Sequence, residues 1–130
     1  MTLTEIKDWL KTELNADSGY TGKIDTSKTN VFCVYDRQSS QGKVCVGGMN
    51  NTSSWPKKIC VLARGTTSYS ESETYAQSIY DVFIGAQAMI GGHWCFFNME
   101  FDGPVSVGAD DKGVYEFTID LTIIYQRKDD

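Results

Sequence analysis

The sequence predicts an α+β fold, in which two helices pack on a mostly antiparallel sheet of about five strands. Two segments carry apolar residues at three- and four-residue spacing, which is the pattern of an amphipathic helix. Five short segments are rich in β-branched and aromatic residues, as strands are. The last of these, Gly113–Tyr125, alternates apolar and polar residues and therefore buries one face against a core. The predicted order is helix, three strands, helix, two strands.

The composition is that of one ordinary globular domain, and we expect residues 1–130 to form it. An apolar share of 41% and a charged share of 22% are typical of such domains. No apolar run approaches the ~20 residues that a membrane-spanning helix needs. The N-terminal residues lack the pattern of a signal peptide. These features predict a protein made and folded in a cytoplasm, without a membrane partner.

The net charge of −5 bears on nucleic-acid binding. A tight binder of DNA or RNA normally carries a basic patch that displaces counterions from phosphates. The sequence has no block of like charges, so tight binding to nucleic acid is not expected.

The first predicted element is a helix from about Thr4 to Leu14, and Thr2 with Glu5 has the spacing of a capping box. Asn15–Asn30 is polar and predicts a loop, with a weak extended segment over Tyr20–Ile24. The apolar stripe of the helix consists of Ile6, Trp9, Leu10 and Leu14.

Three strands are predicted next, over Val31–Tyr35, Lys43–Gly47 and Lys58–Arg64. The first two are joined by the polar loop Asp36–Gly42. In the third, an unbroken run of apolar residues predicts a strand that is covered on both faces.

The main helix is predicted over Glu71–Ile90, with Ser70 and Glu73 as its capping pair and Gly91-Gly92 as its end. Gly85 is an internal weakness that costs about 1 kcal/mol relative to alanine. The predicted apolar face consists of Tyr75, Ala76, Ile79, Val82, Phe83, Ala86, Met89 and Ile90.

A hairpin is predicted to close the fold. Its first strand, His93–Asp102, is aromatic and ends at Gly103-Pro104, and the connection Val105–Gly113 is too long for a tight turn, so it should project. At about 3.3 Å per residue, the last strand spans roughly 40 Å and either crosses the molecule or reaches toward neighbouring subunits. Its apolar face consists of Tyr115, Phe117, Ile119, Leu121, Ile123 and Tyr125.

No catalytic, cofactor-binding or metal-binding residue is predicted. The Ser-nucleophile, phosphate-loop and dinucleotide motifs are absent. His93 at a strand start is best read as structural, and Asp110–Gly113 as a turn, because it lacks the alternating oxygen ligands of a calcium loop. These absences favour a binding or structural protein over an enzyme.

The four cysteines are interpreted as small buried residues, because none is paired in a C-x-x-C motif. Cys33 and Cys45 lie symmetrically about Ser39, and a hairpin centred there would place them opposite each other. Reduced core thiols are favoured, and a disulfide between those two remains the alternative.

The closing segment resembles small tail-terminator proteins of long-tailed bacteriophages and prophages, often labelled minor capsid proteins. The matching features are a proline, a glycine- and aspartate-containing turn, a tyrosine-bearing long strand and a basic finish. They correspond to Pro104, Gly108–Gly113, Tyr115 and Arg127. The N-terminal helix, a strand ending in Arg64, and a helix bearing Tyr75-Ala76 and Ile79-Tyr80-Asp81 also fit.

The resemblance implies a structural virion protein without catalytic activity. Its members form a ring, a hexamer, that stops polymerisation of the tail tube and joins the tail to the head. It therefore implies a homo-oligomer whose partners are a tail-tube protein and a head-completion or connector protein, assembled in the host bacterial cytoplasm. A negative charge suits a channel through which DNA passes without sticking.

Two other functions remain open from the sequence. A small enzyme or ligand-binding domain could use the aromatic strand 93–101 as a pocket, with His93, Trp94, Phe96 and Phe97 around it. A tail-tube protein or another virion component could share the same subunit architecture.

Overall fold

The computed structural model describes residues 1–37, 54–85 and 87–126. Within them the chain is α+β, with two helices and a mostly antiparallel sheet, as predicted, but the sheet has seven strands instead of about five. The helices are α1 (Leu3–Leu14) and α2 (Tyr69–Phe83). The strands are β1 (Tyr20–Thr21), β2 (Val31–Asp36), β3 (Ser54–Arg64), β4 (Gln87–Ile90), β5 (His93–Met99), β6 (Val105–Ala109) and β7 (Tyr115–Gln126).

The sheet runs in the order β1-β2-β3-β7-β5-β4, and β6 also pairs with β7. The pair β1–β2 is parallel and the other pairs are antiparallel. β3 pairs with β7 from Ser54↔Gln126 to Arg64↔Glu116. The length of the last strand is therefore used to cross the molecule, and it does not run beyond the sheet as a free arm.

Both helices lie on the same face of the sheet and enclose the main core there. α1 packs against β2, and α2 packs against β3 and β7. From the last strand, Phe117, Ile119, Leu121 and Ile123 are buried in this core, as the period-two pattern predicts. The helices contribute Ile6, Leu10, Ala76, Ile79, Tyr80 and Phe83.

The helix starts follow capping rules, one as predicted and one displaced. The Thr2–Glu5 capping box is present, with the Thr2 hydroxyl accepting from the Glu5 amide at 3.1 Å. The prediction for the main helix was two residues late, because Ser68 is the N-cap and accepts from the amide of Glu71. A serine at the N-cap accepts a hydrogen bond from a backbone amide in the first turn of the helix. Ser68 and Ser70 can both do this, so the sequence alone does not distinguish them.

The main helix is shorter than predicted, because it ends at Phe83 and Gln87–Ile90 forms a strand. Ile84 leaves the helix in an extended conformation, and Gly85, the predicted weak point, follows it with a φ of 66°. Gly91 and Gly92, read as the helix end, have φ of 58° and 84° and form the two-residue turn between β4 and β5. Met89 is consequently exposed on a strand.

The opposite face of the sheet is covered at one end by the segment that includes the predicted extended stretch Tyr20–Ile24. There Ile24, Val31 and Cys33 form a second, small cluster, with Leu62 of β3 packed against it. β3 is thus covered on part of its second face, as its apolar run predicted, although by a loop and not by a helix. The predicted strand Lys43–Gly47 lies outside the described residues, and within them β2 pairs with β1 and β3.

Candidate assembly surface

Strand β6 occupies the segment for which a projecting loop was predicted, so that prediction is wrong. Val105–Ala109 pairs with the start of β7, from Val105↔Thr118 to Ala109↔Tyr115. All five residues of β6 are nevertheless exposed. Within the described part of the chain, β7 is its only strand partner, so its other edge is open. An open edge of a sheet is a surface on which another chain can dock.

The register of β6 is irregular, because Ser106 and Gly108 are opposite Phe117 and Glu116 with Val107 left over. Such a bulge interrupts the even row of amides and carbonyls that an added strand would need. Contact with a partner at this edge would therefore depend more on side chains than on a continuous backbone ladder.

Large apolar side chains near β6 face solvent. Phe101, Val105 and Val107 are 51%, 39% and 55% exposed. Single exposed apolar residues are normal on protein surfaces, but neighbouring ones beside an open strand edge are typical of protein–protein contacts.

A cleft runs beside β6, between the outer face of α2 and the turn at Gly103-Pro104. On the helix side its polar lining includes Glu73, Gln77 and Asp81, at four-residue spacing and so on one helix face. The Gln77 amide donates to the Asp81 carboxylate at 2.8 Å. We call β6, residues 101–104 and this helix face together the β6 flank.

Two tyrosines hold the β6 flank to the core. The buried Tyr80 hydroxyl donates to the carbonyl of Phe101 at 2.6 Å. The Tyr69 ring lies 5.2 Å from the ring of Tyr115 and 5.6 Å from that of Phe117, measured between centroids. The flank is therefore attached to packed elements although its outer side chains are exposed.

The far end of β6 is held by a buried arginine. Arg64 is 1% exposed, and its guanidinium contacts both Asp110 in the β6–β7 turn and Glu116 in β7. It also donates to the carbonyls of Lys28 and Thr26 at 2.9 and 3.0 Å. Arginine suits this role because its planar group can donate to several acceptors at once. One side chain thereby joins three segments that are distant in the sequence.

The predicted turn at Asp110–Gly113 is confirmed. The Asp110 carboxylate accepts from the amides of Lys112 and Val114 at 2.9 and 3.0 Å, as turn-forming aspartates do. The hydrogen bond from Arg64, and then these amides, lower the pKa of Asp110 below its usual value. Its oxygens are thus already occupied by protein donors. Among the described residues, no group of three or more His, Cys, Asp or Glu side chains could hold a metal ion.

The aromatic residues proposed as a pocket point in different directions. Phe97 faces the core, and its ring centroid lies 5.3 Å from that of Trp9 and 5.1 Å from that of Phe83. Trp94 and Phe96 are about half exposed, and the alternation of a strand puts them on the opposite face. His93 is bonded to the carbonyl of Gln126 at 2.7 Å. The structure therefore does not bring the four side chains together around one cavity.

The cysteines of the described residues, Cys33, Cys60 and Cys95, are free thiols, and Cys45 lies outside those residues. Burial raises the pKa of Cys60 to about 12, with a hydrogen bond to Asp120 adding to the effect. Burial also raises the pKa of Cys95 to about 11. Both are protonated at neutral pH, and a protonated thiol is a poor nucleophile.

Sequence reasoning missed β6 and the role of Arg64. The alternation Val105-Ser106-Val107 was a short period-two signal for the strand, overlooked beside a predicted long loop. The contacts of Arg64 could not be found by spacing, since Asp110 and Glu116 are 46 and 52 residues away.

Comparison with known proteins identifies one family. The family model described as bacteriophage tail terminator protein matches residues 8–127, which include all seven strands and most of both helices. No curated protein matches the chain. In the described part of the chain, no helix has both the length and the apolar character of a membrane span.

Proposed function

We propose that this chain, which belongs to the bacteriophage tail terminator protein family, caps the tail tube as a ring of six subunits and joins the tail to the head. The observation that carries the proposal is the family match over residues 8–127. Residues 1–130 act in it as one domain, and the protein is part of the virion after assembly in the host bacterial cytoplasm.

The proposed role is structural and not catalytic. His93 is engaged with a backbone carbonyl, and the Cys60 and Cys95 thiols have pKa values far above neutral pH. A general base or nucleophile needs a free side chain with a pKa near the working pH. These side chains are better suited to holding the fold than to reacting with a substrate.

A ring requires each subunit to present two different surfaces, one for each neighbour. The β6 flank offers one such surface, because it combines an open strand edge with exposed apolar side chains. The net charge of −5 suits a ring through which DNA passes, since like charges limit adhesion to the channel. The other partners are the tail-tube protein and a head-completion or connector protein.

The experiment is assembly of tail tubes from purified tube protein with and without this chain. We expect negative-stain images to show rings of the protein alone and a ring at one end of each tube. Tubes polymerised in its presence should be shorter, because a capped end cannot add subunits. An unrelated acidic protein of similar size is the control.

A strictly monomeric protein that never binds tube ends would contradict the proposal. Long tubes formed by this chain alone would instead support the alternative that it is a tail-tube component. The ligand-binding alternative has no supporting observation, since the side chains of strand 93–101 diverge.

A further inference from the structure

The face of the sheet that points away from both helices carries exposed apolar side chains at its β4–β5 end. The core lies on the helix side, so alternate residues of each strand point to the other face, which we call the outer face. On β4 and β5 those residues include Met89, Trp94 and Phe96, which are 49%, 50% and 47% exposed. The small cluster that covers the outer face near β1 and β2 contains none of them.

The register of the strands joins these side chains into one patch. Met89 is the cross-strand partner of Trp94, and Phe96 is the partner of Ile124 in β7. Ile124 is in turn the partner of Pro56 in β3. Side chains directly opposite each other in an antiparallel pair lie about 5 Å apart, which is close enough for contact. We call these five residues the outer patch, and it extends across the four neighbouring strands β4, β5, β7 and β3.

The outer patch contains no charged residue. The next row along the outer face consists of Lys58, Thr122 and Asn98, of which only the lysine is charged. A lysine at the border of a patch can keep its ammonium group in water. Beyond this row, Arg37 and Glu100 form an ion pair with each other at 2.7 Å. Two copies of the patch can therefore face each other without opposing like charges at the centre.

The area of the outer patch suits a second copy of this chain. A fully buried aromatic side chain covers about 150–250 Å², so the half-exposed Trp94 and Phe96 still expose roughly 100 Å² each. With Met89, Ile124 and Pro56 the patch offers roughly 350 Å² of apolar surface, a size that is often functional. Two patches would bury roughly 700 Å² of apolar surface, or roughly 1,100 Å² in total if the contact is about 65% apolar. That total lies at the lower end of specific interfaces and fits a weak dimer.

We infer that the outer patch packs against the outer patch of a second copy of this chain, as a symmetric pair of facing sheets. A two-fold contact uses the same surface on both copies, and an uncharged apolar patch is complementary to itself. Facing sheets pack about 10 Å apart with their side chains interdigitated, and Trp94 and Phe96 supply the largest buried area. The β6 flank is unsuited to such pairing, because Glu73 and Asp81 of two copies would oppose each other.

The pairing is separate from the contacts that close a ring. A symmetric contact is complete when two copies have met, whereas a ring needs two unlike surfaces on each subunit. Ile124 and Thr118, the β7 partners of Phe96 and Val105, are six residues apart, so the outer patch and β6 lie roughly 20 Å apart along the strand at about 3.3 Å per residue. The inference goes beyond the proposed function and does not depend on it, because the pair covers an apolar surface of the free protein.

Sedimentation velocity over a range of protein concentrations tests the pairing. Trp94→Thr with Phe96→Thr keeps residues that favour strands and removes both rings, so it should weaken the dimer at least roughly tenfold. The matched control is Val105→Thr with Val107→Thr, which changes exposed apolar residues of β6 and should leave the dimer unchanged. This control also weakens the contact proposed for the ring, so the dimer can be measured by itself in that background. Circular dichroism and urea denaturation check that both variants fold.

Trp94 also reports the pairing directly. If a second copy covers its ring, a rise in protein concentration should move the tryptophan emission to shorter wavelength and reduce quenching by acrylamide. Trp94→Phe keeps an aromatic ring in the outer patch, so the dimer should persist to within about threefold while this change in emission disappears. Added sodium chloride should not weaken the dimer, because no charges are paired at its centre.

The outcomes separate this inference from the proposed function. A protein that stays monomeric in the Val105→Thr, Val107→Thr background would show that the inference is wrong, and so would a Trp94→Thr, Phe96→Thr variant that dimerises normally. Neither result would affect the capping of tubes. If the substitutions at 94 and 96 leave sedimentation unchanged but abolish capping, the patch binds the tail-tube protein and not a second copy. If that variant fails to fold, the emission change that is lost in Trp94→Phe decides. A dimer that never caps tubes would contradict the proposed function alone.

Discussion

Strands β5 and β6 pair with the same side of β7, one after the other, yet they are packed differently. β5 lies along the second half of β7, from Met99↔Leu121 to Cys95↔Tyr125. β6 lies along the first half. Alternate residues of β5 are buried or half-buried, whereas β6 buries none of its five. Backbone pairing alone therefore does not bury the side chains of a strand.

The layer above the strand makes the difference. Rings from α1 and α2 lie on Phe97 of β5, whereas α2 stands beside β6 across an open cleft. When another layer packs over an apolar side chain, that side chain is removed from water. This burial of apolar surface is the dominant favourable term in folding. β5 belongs to the stability of the subunit, and β6 is available for contacts with other chains.

The largest effect is expected from Phe97→Ala in β5. Removing the ring leaves a cavity beside Trp9 and Phe83 and should lower the free energy of unfolding by about 3 kcal/mol. The matched control is the next residue back, Phe96→Ala, which is 47% exposed and should cost less than about 1 kcal/mol. Urea denaturation measures both, and equal losses would show that the helix layer does not distinguish the two faces of β5.

Arg64→Ala should lower the free energy of unfolding by about 2 kcal/mol, because Asp110 and Glu116 lose a buried counter-charge. The loss is below that of a fully buried pair, since both carboxylates are about one-fifth exposed. Arg37→Ala is the control: its pair with Glu100, at 2.7 Å, is more exposed and should contribute no more than about 1 kcal/mol. A smaller loss for Arg64→Ala than for Arg37→Ala would contradict this role of Arg64.

Acid should loosen the β6–β7 turn through Asp110. Its pKa in the folded protein is lowered by Arg64, so its stabilisation is complete above about pH 4, near the value of an unfolded aspartate, and disappears as pH falls through the folded pKa. The free energy of unfolding of the unchanged protein should therefore exceed that of Asp110→Asn at pH 6, and the difference should shrink toward pH 2. A difference that stays constant with pH would show that the carboxylate charge has no part.

The smallest effect on stability is expected in β6. Val107→Ser removes an exposed methyl pair and should change the free energy of unfolding by less than about 0.5 kcal/mol. Self-association should nevertheless weaken several-fold in sedimentation velocity, if β6 is a contact surface. Ile84→Ser, at a similarly exposed position outside the β6 flank, is the control and should leave association unchanged.

Prediction from sequence succeeded where residue patterns are local and long. The capping box at Thr2, the first helix and the alternation of β7 follow from neighbouring residues, so they were found with nearly correct bounds. The predicted end of the main helix was wrong, because the spacing of Ala86, Met89 and Ile90 fits a helix and a strand equally well. Ala86 lies outside the described residues, and the strand that follows it takes its position from pairing with β5.

By itself, the sequence determined an α+β fold and a last strand with one buried face. These follow from periodicity and composition, which act through neighbouring residues. Only the tertiary structure decided that β6 stays exposed and that Arg64 joins Asp110 to Glu116. Those features depend on which distant segments pair, and strand order is set by the packing of the whole chain.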